Sequence, residues 1–141
     1  MLVDVNLLVY AADTRSRFNR TAREWLLGQL NGSRRVGLPW QSLASFLRLA
    51  THPRASDHPL SPTEAWETVS AWLESPAAWI PEPGPGYGAI FGDLLLRHEV
   101  TGNLVPDAQL AALALEHGLT VCSADSDFAR FTEVSWVNPL V

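Results

Sequence analysis

The stretch LVDVNLLVYAA at residues 2–12 contains a short β-forming segment, residues 2–5, that runs directly into a helix-forming one, residues 6–12. The same alternation continues along the chain, where short apolar segments are followed by segments with apolar residues three and four positions apart. Short strands that alternate with helices are typical of a parallel sheet covered by helices on both faces. We therefore predict an α/β fold with a short, mainly parallel central sheet flanked by helices.

The remaining elements follow from the same patterns and from the residues that start and stop helices. Strands are predicted at residues 35–38, 78–80, 119–122 and 134–137, and helices at residues 17–30, 40–50, 62–73, 87–99 and 107–117. Ser61 and Glu64 have the spacing of a capping box, which places a helix start between them. Asn31-Gly32 and Gly118 are expected to end helices in a left-handed conformation.

Length and composition limit the class of protein. The chain has 141 residues, 47% of them hydrophobic and 18% charged, which predicts one domain over residues 1–141 and excludes a disordered or collagen-like protein. Its one cysteine, Cys122, allows no internal disulfide, which favours an intracellular, cytoplasmic protein. No apolar run approaches the ~18 residues that span a bilayer, and no basic residue precedes Asp4 as in a signal peptide.

The charge is unevenly distributed. The net charge is −5, and all ten basic residues are arginine. Residues 1–54 contain eight arginines and three acids, whereas residues 55–141 contain two arginines and twelve acids. A basic half on an acidic protein suggests a surface that faces a polyanion, and a solvated arginine-rich helix face is the alternative.

Aspartates follow the predicted strands at one edge of the sheet. Asp4 ends the first strand, Asp107 stands at the start of a helix, and Asp125 and Asp127 follow the strand at residues 119–122. Ligands of an open parallel sheet bind beyond the carboxyl ends of its strands. Clustered carboxylates repel one another unless a cation neutralises them, and carboxylate-only ligands suit Mg²⁺ or Mn²⁺. Taken singly, each aspartate is more typical of a helix cap than of a catalytic residue.

Other catalytic schemes lack their residues. A chain without lysine has no P-loop, and no Gly-x-Ser-x-Gly nucleophile elbow occurs. The four histidines show no metal-ligand spacing, and the glycine-rich residues 84–88 are predicted to form a turn.

Three segments carry a resemblance to a known family. Val3-Asp4-Val5-Asn6-Leu7-Leu8, Pro106-Asp107-Ala108 and Ser123-Ala124-Asp125-Ser126-Asp127-Phe128 resemble, in order and spacing, the motifs of PIN-domain ribonucleases, and most closely those of VapC toxins. The resemblance implies an endoribonuclease that depends on Mg²⁺ or Mn²⁺, forms a homodimer and is inhibited by a VapB-type antitoxin. It also implies roles for individual residues. Asp4, Asp107 and Asp125 match the catalytic, metal-binding acids, and Asn6, Asn103 and Asp127 match auxiliary positions, with Asp127 expected to bond the loop backbone.

The chain departs from this family at one position. Phe46 stands where most members have a glutamate, and no acid occurs between Glu24 and Asp57. This departure leaves open whether the site holds one metal ion or two, with Gln41, Ser42 or Ser45 expected at most to orient a water. Glu116 is expected to form a surface salt bridge instead of replacing that glutamate.

An RNA substrate would need positive charge and aromatic surface near the site. Arg48 and Arg54 are the arginines nearest by sequence to the helix that faces the site, and Trp40 is the tryptophan placed to contact RNA.

Two alternatives to a ribonuclease remain at this point. The first is a non-catalytic RNA-binding or regulatory module that retains the fold, which the missing glutamate favours. The second is a phosphatase with Asp4 as nucleophile, which is disfavoured because Asn6 stands where a second acid is usual and the chain has no lysine.

Overall fold

A computed structural model describes residues 1–141 and contains a five-stranded sheet in which every neighbouring pair of strands is parallel. The strands are β1 (Leu2–Val3), β2 (Val36–Gly37), β3 (Ala78–Trp79), β4 (Val121–Cys122) and β5 (Trp136–Val137). The helices are α1 (Val5–Ala12), α2 (Asn19–Leu30), α3 (Trp40–Thr51), α4 (Pro62–Leu73), α5 (Tyr87–Arg97) and α6 (Val105–His117). The predicted parallel sheet flanked by helices is confirmed.

The sheet is covered on both faces. Leu2 packs into a cluster with residues of α5 and α6, whereas Val3 packs into a second cluster with residues of α1 to α4. Val121 and Cys122 of β4 divide between the two clusters in the same way. Because side chains alternate across a strand, this division requires helices on each side, and it explains why the strands are continuously apolar. No helix combines the length and the apolarity needed to span a membrane.

Local capping sets where the elements begin and end. The first strand stops at Val3, before the predicted residue 5, because the Asp4 carboxylate accepts a hydrogen bond from the Val5 N–H at 2.8 Å and caps α1. The expected left-handed stop at Asn31-Gly32 is wrong. Asn31 has φ −102°, and its side-chain amide donates to the Leu27 carbonyl at 2.8 Å, which closes α2 without a glycine. Gly118, with φ +68°, ends α6 as expected.

The strand order fixes where a ligand site can form. The strand order is β3-β2-β1-β4-β5. The chain therefore adds β2 and β3 on one side of β1 and then adds β4 and β5 on the other side. The reversal lies between β1 and β4, and in open parallel sheets a ligand crevice forms beyond the carboxyl ends of the strands at such a point. Asp4 directly follows β1, and Ser123 directly follows β4.

Candidate metal centre

Three carboxylates meet at this crevice. Asp107 lies in the first turn of α6, and Asp125 and Asp127 lie in the loop after β4 that forms a 3₁₀ turn over Ser126–Arg130. Each contributes one carboxylate oxygen, and these oxygens lie within 4.8 Å of one another. The sequence predicted that Asp107 and Asp125 would meet, and the structure adds Asp127. We call Asp107, Asp125 and Asp127 the carboxylate trio.

Asp4 lies beside the trio and is not a member of it. Its Oδ1 accepts from the Val5 N–H at 2.8 Å, and its Oδ2 accepts from the Ser123 hydroxyl at 2.7 Å. The Asn6 amide also donates to Oδ2, at 3.4 Å. Both oxygens of Asp4 are therefore already hydrogen-bonded to the protein.

Ser123 connects the two strand ends, and sequence reasoning missed it. The side chain is fully buried, and its hydroxyl oxygen accepts from the Asn6 amide at 3.1 Å and from the Asp125 N–H at 3.0 Å. The side-chain oxygen of Asn6, Oδ1, in turn accepts from the Ala124 N–H at 3.2 Å. The available signal was position, since Ser123 directly follows β4 as Asp4 directly follows β1.

Both aspartates of the loop belong to the trio, and the backbone contact expected of Asp127 is made by Asp125. We expected Asp127 to bond the loop backbone. Instead, the Asp125 carboxylate accepts from the Asp127 N–H at 2.9 Å and caps the 3₁₀ turn. The Asp127 side chain is exposed and faces the other members of the trio. A turn of this kind, in which an aspartate carboxylate accepts from the backbone N–H two residues later, is a local contact that holds the start of the loop in one conformation.

Burial and repulsion disfavour negative charge at this centre. Burial, followed by the charges of Asp125, Asp4 and Asp127, raises the pKa of Asp107 to about 7. Burial also raises the pKa of Asp4, against the hydrogen bonds from Ser123 and Val5 that lower it. Like charges at close range are costly without a neutralising cation. An all-oxygen donor set with excess negative charge therefore fits a hard divalent cation.

No acid from α3 or from the C-terminal end of α6 joins the site. Phe46 is fully buried and packs edge-on against Trp72, with ring centroids 4.8 Å apart. The salt bridge expected of Glu116 is wrong. Its carboxylate accepts from the backbone N–H groups of Gly84 at 2.6 Å and Gly86 at 2.9 Å, because these unpaired donors lie directly against the helix.

The first turn of α3 positions the site without contributing charge. The Gln41 amide donates to the Pro106 carbonyl at 2.7 Å, which joins α3 to the residue before Asp107. The Ser42 hydroxyl is buried and donates to the Val3 carbonyl at 2.7 Å. Ser42 therefore ties α3 to β1, and its only proton is not available for the water that we expected it to orient.

The other predicted residues, Asn103, Arg48 and Arg54, form no hydrogen bond or ion pair with the trio. Asn103 is exposed in the 3₁₀ turn Gly102–Leu104 and its side chain makes no hydrogen bond. Arg48 and Arg54 are exposed and form no ion pair. Arg48 is about 10 Å along the axis of α3 from Gln41, and Arg54 lies beyond the far end of that helix. Neither arginine pairs with a carboxylate of the trio, so their contact with RNA stays a prediction.

Comparison with known proteins gives four consistent matches: one family, two relatives and one solved structure. The PIN domain family matches residues 1–134. Ribonuclease VapC37 of Mycobacterium tuberculosis strain H37Rv is 41% identical over 138 residues, which covers 98% of this chain and 96% of that protein. Ribonuclease VapC43 of the same strain is 41% identical over 140 residues, with 99% and 95% covered. A crystal structure of VapBC2 from Rickettsia felis bound to a DNA fragment from their promoter superimposes with a TM-score of 0.71 at 16% identity, covering 97% of this chain and 96% of that one.

Proposed function

The chain belongs to the PIN domain family, within its VapC group, and we propose that it is a metal-dependent endoribonuclease that acts as the toxin of a VapBC-type pair. The observation that carries the proposal is the carboxylate trio, whose oxygens lie within 4.8 Å of one another at the reversal point of the sheet. The names of the 41% identical relatives support ribonuclease activity as the reaction.

The trio would hold Mg²⁺ or Mn²⁺, and Asp4 would add a fourth negative charge to the site. Such an ion, when bound, lowers the pKa of a coordinated water and neutralises charge on the phosphate. Asp4, Asp107 and Asp125 are thus the proposed catalytic acids, and we add Asp127 as a ligand. We propose one tightly held ion, because the structure contains one such trio and Phe46 supplies no further carboxylate.

Ser123 and Asn6 would keep the carboxylates in place. Both side chains hydrogen-bond Asp4 on one side and the backbone of the loop after β4 on the other. Partners that orient metal ligands in this way typically change metal affinity or activity 10- to 100-fold when removed. These hydrogen bonds join the end of β1 to the end of β4, and so they would fix the distance between the Asp4 carboxylate and the carboxylates of the loop after β4.

A partner protein and a second copy of the chain complete the proposal. Similar solved structures include the VapBC2 complex and VapBC-1 from nontypeable Haemophilus influenzae. Exposed apolar side chains, Leu27 at 40%, Trp66 at 49% and Leu96 at 83%, provide surface for such contacts. We propose a VapB-type antitoxin and a homodimer, both in the cytoplasm with the RNA substrate.

The test is cleavage of a fluorogenic single-stranded RNA by the purified chain in Mg²⁺ or Mn²⁺. Asp107→Asn and Asp125→Asn should each lower the rate by about 100-fold or more, because metal catalysis contributes several kcal/mol. Asp93→Asn is the matched control, since this exposed acid on α5 pairs only with Arg97. Cleavage that persists in EDTA or in Asp107→Asn contradicts the proposal. RNA binding without cleavage by the wild type identifies the non-catalytic alternative.

A further inference from the structure

A second concave surface lies near the carboxylate trio, and the proposed mechanism does not use it. It is a cavity of about 180 Å³ between the first turn of α3, the loop at residues 81–86 and one side of α6. Trp40 and Tyr87 contribute its aromatic walls, and Gln41, Gln109 and Leu113 line it from α3 and α6. The rest of the lining is Pro39 and the loop residues Pro81, Glu82 and Pro83. Trp40 is 43% exposed, although it is a large apolar residue at the start of a packed helix. We call this cavity the Trp40 pocket.

Hydrogen bonds from the end of α6 hold the loop that forms one wall of the Trp40 pocket. The Glu116 carboxylate accepts from the N–H groups of Gly84 and Gly86, and His117 Nε2 donates to the Glu82 carbonyl at 2.7 Å. A Cβ on Gly84 would lie 2.9 Å from a Glu116 carboxylate oxygen, so a larger residue there would displace the end of the Glu116 side chain. A wall held in this way loses little freedom when a ligand binds, which favours affinity.

The pocket and the trio share the first turn of α6. Gln41 donates to the carbonyl of Pro106, directly before Asp107, and Gln109 lies two residues after Asp107 on the opposite side of the helix. The two sites are therefore separated by about one helix diameter, 10–12 Å with side chains. A strand that crosses this end of α6 can place a phosphate at the trio and a neighbouring base in the pocket.

We propose that the Trp40 pocket binds one unpaired nucleobase of the RNA, adjacent to the scissile phosphate, with Trp40 as the stacking platform. This inference rests on the proposed ribonuclease function and adds a site that recognises one base of the RNA substrate. Unpaired bases bind proteins by stacking on aromatic rings and by hydrogen bonds to their edges. Gln41 donates one amide N–H to Pro106 and keeps its second N–H and its carbonyl oxygen, while the Gln109 amide both donates and accepts. The volume is below the ~300 Å³ of pockets for drug-sized ligands, as suits a single base.

The binding experiment compares two probes of equal length and charge. One is a phosphorothioate-linked oligoadenylate, which resists hydrolysis, and the other has the same linkages with abasic sugars. Fluorescence anisotropy in Mg²⁺ should show that the wild type prefers the base-bearing probe by about 5- to 100-fold, the range that stacking of one base gives. Trp40→Ala should remove this preference, and Trp40→Phe should keep most of it. Trp66→Ala, a 49% exposed tryptophan on α4, should keep all of it.

A second readout separates this inference from the ribonuclease proposal. If the wild type cleaves a mixed RNA pool, Trp40→Ala should flatten the base preference next to the cut while the dependence of binding on salt stays unchanged, because stacking releases no counterions. An unchanged probe preference and cut pattern in Trp40→Ala overturns the pocket and leaves the ribonuclease standing. Preference that depends on Trp40 in a protein that never cleaves RNA supports the pocket and overturns the ribonuclease. A Trp40→Ala effect confined to oligomeric state, measured by light scattering, makes this surface a protein contact and overturns the inference.

Discussion

Replacing Asp107 by asparagine should stabilise the metal-free protein, and increasingly so as the pH rises. Asparagine has nearly the shape of aspartate and carries no charge, so the substitution removes repulsion and leaves the packing of α6 intact. The pKa of Asp107 is raised from 3.8 to about 7 by burial and then by the charges of Asp125, Asp4 and Asp127. The folded state therefore holds this proton more tightly than the unfolded state does.

The sign and size of the effect follow from that difference in pKa. Between about pH 4 and pH 7 the folded protein binds more protons at Asp107 than the unfolded chain does, so its free energy of unfolding falls as the pH rises. The full difference corresponds to at most about 4 kcal/mol at 1.36 kcal/mol per unit of pKa. Because Asp107 is partly exposed, water screens the repulsion, and we expect about 1–2 kcal/mol above pH 7.

The assay is urea denaturation in EDTA at several pH values from 5 to 8, followed by tryptophan fluorescence. The stability gap between Asp107→Asn and wild type should be small at pH 5 and reach about 1–2 kcal/mol at pH 8. Asp93→Asn is the control, and its exposed pair with Arg97 should change stability by under about 1 kcal/mol with no trend over this pH range. Added Mg²⁺ should stabilise the wild type and not Asp107→Asn. A gap that does not depend on pH, or a variant less stable than wild type at pH 8, refutes the electrostatic reasoning.

Three further predictions test the parts of the site separately. Ser123→Ala should cost about 1–3 kcal/mol in urea denaturation, because the half-buried side chains of Asp4 and Asn6 and the Asp125 N–H lose a hydrogen-bond partner. A cost near zero would show that these hydrogen bonds do not stabilise the fold. Phe46→Glu should unfold the protein or destabilise it by more than about 3 kcal/mol without adding a metal site, since the side chain is fully buried; a folded variant with higher Mn²⁺ affinity contradicts this. The double variant Arg48→Ala/Arg54→Ala should reduce the salt dependence of RNA binding by about 0.7 in the log–log slope for each lost phosphate contact. Arg97→Ala, the control, should leave the slope unchanged. Equal effects of the two variants would show that Arg48 and Arg54 are solvated surface residues without a special role in RNA binding.

The fold was predictable because it depends on repeating, local patterns. Val121 and Cys122 are buried on opposite faces of the sheet, so consecutive apolar residues here indicate a parallel strand. The placement of Asp4 and Asp125 beyond strand ends follows from the same patterns. Strand length was overestimated, since caps end the strands early: Asp4 bonds the first N–H of α1 and leaves β1 with two residues.

The arrangement within the site was less predictable, because it depends on contacts between distant residues. Ser123 is hydrogen-bonded to Asp4, 119 residues away, and its position directly after a strand is a weak signal because solvated serines also occur there. Glu116 reaches loop N–H groups 30 and 32 residues earlier. Which aspartates join the trio depends on side-chain direction, and Asp4 and Asp127 look alike in sequence although only Asp127 lies within the trio.

The most direct test of the central claim is a titration of the purified chain with Mn²⁺, in which electron paramagnetic resonance of the free ion reports how much is bound. The carboxylate trio predicts one tightly bound Mn²⁺ per chain, displaced by Mg²⁺, lost in Asp107→Asn and in Asp125→Asn, and retained in Asp93→Asn. Mn²⁺ binding of wild-type affinity and stoichiometry in Asp107→Asn or Asp125→Asn would contradict the claim that these carboxylates form the metal centre.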